Sequence, residues 1–146
     1  MATIDDVKSK VQRILTQHGR VEVDRDGDFI LRQDSAVMWV SVREGFGGTD
    51  TLVTFTCPLV KNVRLTNDLY KWVATEGQNF WIGRTHVIPD NESPDNGSVW
   101  FEYAIVGDDL DESEVMRGAL SVLLTGNDLD NVIRDKFGGE LFGPDK

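Results

Sequence analysis

The chain has 146 residues, of which 40% are hydrophobic and 27% charged, a composition and length that suit one globular domain. The single cysteine, Cys57, excludes an internal disulfide framework. Because the N-terminal MATIDDVKSK is polar and acidic rather than a signal peptide, we expect a cytoplasmic protein. No apolar run approaches the ~18 residues that a membrane span needs, so we expect no membrane partner.

The net charge of −10 lies entirely in the last part of the chain. Residues 1–89 carry 11 acidic and 11 basic side chains, whereas residues 90–146 carry 14 acidic and 4 basic ones. Phosphate binding needs clustered Lys and Arg, so this charge argues against nucleic acid as a partner. The acidic residues serve either solubility or the attraction of basic partners.

The first half of the chain predicts one helix followed by strands. Apolar residues at helical spacing predict a helix from Ile4, capped by Thr3, to Gly19. Alternating apolar residues then predict strand-like runs at 21–31 (folded about a turn at 24–27), 36–44 and 51–57. Pro58 cannot donate to a sheet ladder, so we expect it to end the last run or to place it at an edge.

The second half predicts a helix, a hairpin and a helix. Thr66 caps a short helix that ends near Gly77, and strands at 80–88 and 98–106 flank a turn-rich stretch. Asp111 caps the last helix, with Met116, Ala119, Leu120, Leu123, Leu129, Val132, Ile133 and Phe137 expected to face inward. Gly126 is expected to interrupt its pattern, and 139–146 to form a frayed tail.

The order of these elements predicts the architecture. It reads α-β-β-β-α-β-β-α, which indicates a single α+β domain over residues 1–146. We expect an antiparallel five-stranded sheet with the helices mainly on one face.

Two acidic clusters invite a chemical interpretation. Asp24, Asp26 and Asp28 resemble the start of a calcium loop, but such a loop needs Gly and Glu where this chain has Phe29 and Ser35. A hairpin turn with solvated acids is favoured. The acids at 108–114 could serve acid/base catalysis, but acidic residues also crowd helix N-termini for electrostatic reasons.

The nucleophilic and imidazole side chains show no catalytic or metal-binding spacing. His18 lies at a predicted helix C-terminus, and His86 late in a strand with no identifiable partner. Cys57 shares its strand face with Val53 and Phe55, so we expect a buried, inert thiol. The pattern therefore predicts no enzyme, no cofactor and no metal site.

The aromatic residues indicate a binding surface. Trp39, Trp81 and Trp100, with Ile30, each occupy the strand parity opposite to the local aliphatic run. We therefore predict that these four residues project from the sheet face away from the helices and bind a partner. Alternatively, a helix or a second subunit covers this face, or the parity is shifted by one residue.

The element order, the central helix at 66–76 and the closing LDNVIRDKFGG resemble the type III secretion chaperone-like fold, in particular its YbjN-type members. The resemblance covers roughly Ile4 to Gly139. It implies a small acidic cytoplasmic protein that dimerises and binds peptide segments of client proteins on its sheet. It also favours a dimer interface at 66–76 and 80–88.

We therefore expect a non-enzymatic, chaperone-like homodimer whose partner is a client protein or peptide. The alternative is a small-molecule binder or enzyme with a cavity between sheet and helices. A deep pocket on which Arg84, His86, Tyr103 or Cys57 converge would favour that alternative.

Overall fold

The computed structural model describes residues 3–48 and 50–142. These residues form three α-helices and six strands. In chain order the elements are α1 (Ile4–His18), β1 (Glu22–Val23), β2 (Phe29–Gln33), β3 (Ala36–Glu44), β4 (Thr51–Arg64), α2 (Asn67–Ala74), β5 (Arg84–Pro89), β6 (Asn96–Val106) and α3 (Glu112–Phe137). No helix in the described ranges is long and apolar enough to cross a bilayer.

The strands make one open antiparallel sheet in the order β1-β2-β3-β4-β6-β5. The α+β class, the element order and the antiparallel sheet are confirmed. The predicted number of five strands is wrong by one, because the residues on the two sides of the 24–27 turn pair with each other as β1 and β2. Asp24 closes this turn by accepting hydrogen bonds from the backbone N–H groups of Asp26 and Asp28, both 2.9 Å long.

Two strand boundaries differ from the prediction. Pro58 does not end its strand, because β4 continues to Arg64, but pairing with β3 stops at Thr56, so Pro58 lies at an edge as the alternative expectation had it. A register shift against β6 follows directly after Pro58. Such an irregularity accommodates a residue that has no N–H to donate. The strand predicted at 80–88 begins only at Arg84, because Gly83 has a φ of +90° that an extended strand does not allow.

The helices begin as the sequence predicts. Thr3 and Asp6 form a reciprocal capping box on α1, and Thr66 caps α2 by accepting from the N–H of Leu69 at 3.2 Å. Asp111 caps α3 in the same reciprocal way with Glu114. However, α3 is one continuous helix of 26 residues, so the predicted interruption at Gly126 is wrong.

Gly126 serves packing instead. A Cβ at this position would lie 2.4 Å from the Sγ of Cys57, so the absence of a side chain lets α3 lie directly on β4. Gly118, about two helical turns earlier in α3, makes the equivalent approach to the ring of Phe55. Leu120 and Val132 were expected to face inward, but both side chains are nearly half exposed.

The core lies between the helices and one face of the sheet, here called the inner face. Its largest buried side chains include Phe55 on β4, Phe101 on β6 and Met38 on β3, packed against Leu15 of α1 and Ile133 of α3. The predicted placement of the helices on one face is confirmed. The opposite face of the sheet is here called the outer face.

Candidate functional site

The pairing register places one row of side chains straight across the outer face. Ile30 lies opposite Trp39, Trp39 opposite Thr56, Thr56 opposite Glu102, and Glu102 opposite Arg84. Directly paired residues share a face, so this row runs across five strands. The first four of these residues are half-buried and Arg84 is exposed. Neither Ile30 nor Trp39 contributes to the core cluster of the inner face.

Trp100 lies in the neighbouring row, where it pairs with Pro58 on one side and His86 on the other. Strand spacing and rise place its Cα about 12 Å from that of Trp39, diagonally across β4. Val37, also on the outer face, is buried although it lies outside the core cluster. Apolar burial in the sheet therefore extends beyond the core cluster of the inner face.

Trp81 does not follow the prediction that placed it in a strand. It precedes β5, in the irregular segment between α2 and β5, so strand parity does not determine its direction. Its side chain is fully exposed at 104%. Trp81 is thus accessible, and it lines a groove together with Thr54, Glu102 and Arg84 of the outer face.

Two grooves meet at Trp81. One, of about 610 Å³, lies where β6 extends past the start of β5, and its walls include Leu52, Thr54 and Ala104. The other runs between the segment before β5 and α3, where Leu120 and Leu124 are each 49% exposed. This edge of the molecule therefore carries apolar surface on both sides of Trp81: the first groove opens on the outer face, and the second faces α3.

The outer face carries balanced charge, unlike the chain as a whole. Arg32 Nε lies 2.8 Å from Glu22 Oε2, and this hydrogen bond, together with the Arg32 charge, lowers the pKa of the Glu22 carboxyl. His86 Nδ1 lies 3.2 Å from Glu102 Oε1, close enough for an ion pair when the imidazole is protonated. Glu102 is thus an acidic neighbour of His86 that sequence reasoning did not identify.

The segment Glu140 to Phe142 reaches the outer face. The backbones of Lys61 and Glu140 exchange two hydrogen bonds of 2.9 Å, and the Phe142 ring packs edge-on against Trp100 at a centroid distance of 6.0 Å. The expectation of a frayed tail over 139–146 is therefore wrong for Glu140 to Phe142, because a backbone pair and an aromatic contact hold them. Residues 143–146 lie outside the described residues.

The residues named for a catalytic alternative do not converge. Arg84 and Tyr103 line the groove of about 610 Å³, but His86 and Cys57 do not. Cys57 is fully buried, and burial, followed by the charge of Asp130, raises the pKa of its thiol to about 12. A thiol with this pKa is protonated at neutral pH and is a poor nucleophile.

The acidic cluster at 108–114 is occupied by structural contacts. Asp108 Oδ1 accepts hydrogen bonds from the backbone N–H and the hydroxyl of Thr51, at 2.9 and 2.7 Å, and these bonds lower the pKa of its carboxyl. Asp111 caps α3, and the N–H of Glu114 lowers its pKa. Within the described ranges, no group of three or more His, Cys, Asp or Glu side chains is arranged to hold a metal ion.

One known protein family matches nearly the whole chain. Residues 5–145 match the family TY-Chap1, described as "T3SS (YopN, CesT) and YbjN peptide-binding chaperone 1". The chain belongs to the TY-Chap1 family. The resemblance drawn from the sequence is thereby confirmed, and the chaperone-like assignment has support over nearly the whole chain. No curated protein matches the chain.

Within this TY-Chap1 chain, strand parity alone did not show how two outer-face residues align, and it gave no sign of the contact made by Phe142. Thr56 and Glu102 lie between Trp39 and Arg84, but only the pairing register shows that they share a row. Phe142 escaped sequence reasoning because its contact with Trp100 joins residues 42 positions apart. Its sequence signal was an apolar pair, Leu141-Phe142, directly after a glycine-terminated helix.

Proposed function

We propose that this protein is a non-catalytic, chaperone-like protein that binds peptide segments of client proteins on the outer face of its sheet. The observation that carries the proposal is the row from Ile30 to Arg84, a band of half-buried apolar, aromatic and polar side chains outside the helical layer. The family's description as peptide-binding chaperones supports the same function.

The chemistry of the outer face suits peptides. Tyr, Trp and Arg side chains are enriched at protein interfaces, because they bury large areas and also offer hydrogen-bond donors. Trp39 and Trp100 supply the apolar area, Thr56 on β4 lies between them, and Thr54 supplies a further hydroxyl on the same strand face. Because the Cα atoms of the two tryptophans are about 12 Å apart, one extended segment of about four residues can span the distance between them.

The charge of the outer face suits clients without strong net charge. Arg32, Arg43 and Arg84 face Glu22, Asp28 and Glu102 across the strands, so neither sign dominates. The acidic excess instead lies largely in α3 and in the loops before it. The two alternatives for the acidic residues, solubility and the attraction of basic partners, therefore concern a different surface, and both stay open.

Panning a random peptide library against the immobilised full-length chain tests the proposal. We expect selected peptides to lose binding at least about tenfold with Trp39→Ala, a change that is typical of an interface anchor. Thr56→Arg, which adds bulk and charge at the centre of the row, should have the same effect without making a cavity. Val132→Ala, an exposed change on α3, is the matched control. Peptides that bind equally well to the unchanged chain and to all three variants would exclude the outer face as the peptide-binding surface.

Two further expectations belong to this proposal. We infer a homodimer, because the edge next to β5 exposes Trp81, Leu120 and Leu124 together. We also infer a cytoplasmic location, where the single buried Cys57 stays reduced.

A further inference from the structure

The segment Glu140 to Phe142 contacts the sheet as a bound peptide would. The ladder between β3 and β4 runs only to the Trp39–Thr56 pair, and beyond it β4 continues with an edge that β3 does not cover. There the N–H of Lys61 donates to the Glu140 carbonyl, and the N–H of Glu140 donates to the Lys61 carbonyl, both at 2.9 Å. A peptide that adds to a strand edge makes this kind of reciprocal pair.

Side chains fix the register of this segment. The side-chain amide of Asn62 donates to the Glu140 carboxylate. Two residues further on, the Phe142 ring meets Trp100 with an angle of 72° between the ring planes. Lys61 Nζ lies 5.6 Å from the centroid of the same ring, within range of a cation–π contact. An acidic residue followed two positions later by an aromatic one is thus the pattern that this end of the outer face accepts.

The contact is of a kind that can open. Its backbone part is one pair of hydrogen bonds, and Lys61, Asn62 and Glu140 are all exposed, whereas Leu141 is partly buried against the core. Segments with few buried contacts and exposed hydrogen bonds open at low free-energy cost. The Trp100 Nε1 donor, moreover, is shielded from solvent and has no hydrogen-bond partner among the described residues. A peptide that replaces Phe142 and brings a carbonyl to Nε1 would satisfy this donor.

We propose that the segment Glu140–Phe142 is an intramolecular competitor that occupies the Trp100 end of the outer face, and that clients displace it with an acidic-x-aromatic sequence. This inference rests on the proposed function, because it assumes that peptides bind the outer face. It adds the sequence class of the client and a reason why the free protein does not leave Trp100 open.

The expected size of the effect follows from population arithmetic. If the segment closes the site in about nine molecules out of ten, the apparent dissociation constant of a competing peptide is about tenfold higher than the intrinsic one. Removing the Phe142 ring should lower the apparent dissociation constant of the peptide by most of that factor. Removing an aromatic ring elsewhere on the surface should leave the dissociation constant unchanged.

The test uses the full-length chain and a fluorescein-labelled peptide, GGELFGPDK, that copies residues 138–146. Anisotropy should show about tenfold tighter binding to Phe142→Ala than to the unchanged chain. Tyr70→Ala, an exposed aromatic change on α2, should leave the affinity unchanged. Adding Trp100→Ala to Phe142→Ala should remove the gain, and so should replacing the phenylalanine of the peptide by alanine.

A second measurement needs no ligand. In a ¹H–¹⁵N spectrum the indole N–H resonance of Trp100 should move in Phe142→Ala, whereas the indole resonance of Trp81 should not. An unmoved Trp100 resonance would overturn the proposal that the segment Glu140–Phe142 occupies this site.

The outcomes separate this inference from the proposed function. In one outcome, the unchanged chain and Phe142→Ala bind the nonapeptide and the library-selected peptides with equal affinity, while Trp39→Ala loses binding. This outcome would overturn the proposal that the segment is a competitor, but it would leave the proposed function standing. Failure of every peptide to bind either protein overturns both.

Discussion

The Phe142 ring packs edge-on against the Trp100 indole, 6.0 Å between centroids, on the sheet face opposite the three described helices. The contact matters because Trp100 pairs directly with Pro58 and His86, next to the row that holds Trp39. The aromatic surface of this chaperone-family protein is therefore already in contact with a peptide segment, supplied by its own C-terminal region.

The four tryptophans should differ in their effect on stability. Trp72 lies on α2, where it is buried against Phe137 at the end of α3. Trp72→Ala should therefore lower the free energy of unfolding by roughly 3–5 kcal/mol. Trp81 is fully exposed, so Trp81→Ala should change it by no more than about 0.5 kcal/mol. Trp39→Ala and Trp100→Ala should lie between. Chemical unfolding of the four variants checks this order, and a loss for Trp81→Ala as large as that for Trp72→Ala would contradict it.

The homodimer prediction can be tested at the edge that exposes Trp81. Light scattering of the unchanged chain should give about twice the chain mass of 16.4 kDa. Leu124→Glu, which places a charge in the apolar groove beside Trp81, should shift the mass toward that of one chain. Thr56→Arg, on the outer face, is the matched control and should leave the mass unchanged. A concentration-independent mass near 16.4 kDa for the unchanged chain would exclude the dimer.

Close packing of α3 on β4 should make Gly126 sensitive to a single methyl group. Alanine is intrinsically better than glycine in a helix by about 1 kcal/mol, so Gly126→Ala would be stabilising if space allowed. A Cβ 2.4 Å from Cys57 Sγ does not allow it, and we expect net destabilisation. Cys57→Ala should partly rescue Gly126→Ala, because it removes the sulfur. Independent, additive effects in the double-variant cycle would show that the two residues do not meet.

The buried thiol should make stability fall at high pH. Burial raises the pKa of Cys57 from 9.0 to about 12, so the folded chain holds a proton that the unfolded chain releases. Its contribution to stability is complete below about pH 9 and is lost as the pH rises toward 12.

The comparison of the unchanged chain with Cys57→Ala isolates this effect from other titrating groups. Unfolding free energies at about pH 8 and about pH 10.5 should fall more steeply for the unchanged chain. Alkylation by iodoacetamide should be slow in buffer and fast in denaturant. Identical pH profiles of the two proteins, or rapid alkylation of the folded chain, would place the thiol outside the core.

Features that depend on neighbouring residues were predictable from the sequence. The capping boxes at Thr3 and Asp111 involve residues three positions apart, and the antiparallel order follows from short connections. The outer-face parity of Ile30, Trp39 and Trp100 also follows from alternation within single strands. Each of these features is local, so its signal lies within a few residues.

Features that depend on distant contacts were not predictable. Phe80, expected in a strand, instead packs edge-on against Phe101 at 5.1 Å, and Gly83 turns the chain before β5. Gly126 reads as a helix breaker until Cys57, 69 positions away, shows why a side chain is absent. The contact between Phe142 and Trp100 was likewise not predictable, because neither residue's sequence surroundings indicate the other as its partner.

Chemical-shift mapping of a library-selected peptide on the ¹⁵N-labelled full-length chain tests the central claim most directly. The peptide should perturb the amides of Ile30, Trp39 and Thr56 and the indole resonances of Trp39 and Trp100. The amides of Leu120, Leu124 and Val132 on α3 should stay in place. Perturbations confined to α3, with the outer-face resonances unchanged, would show that clients bind the helical layer and would contradict the proposed function.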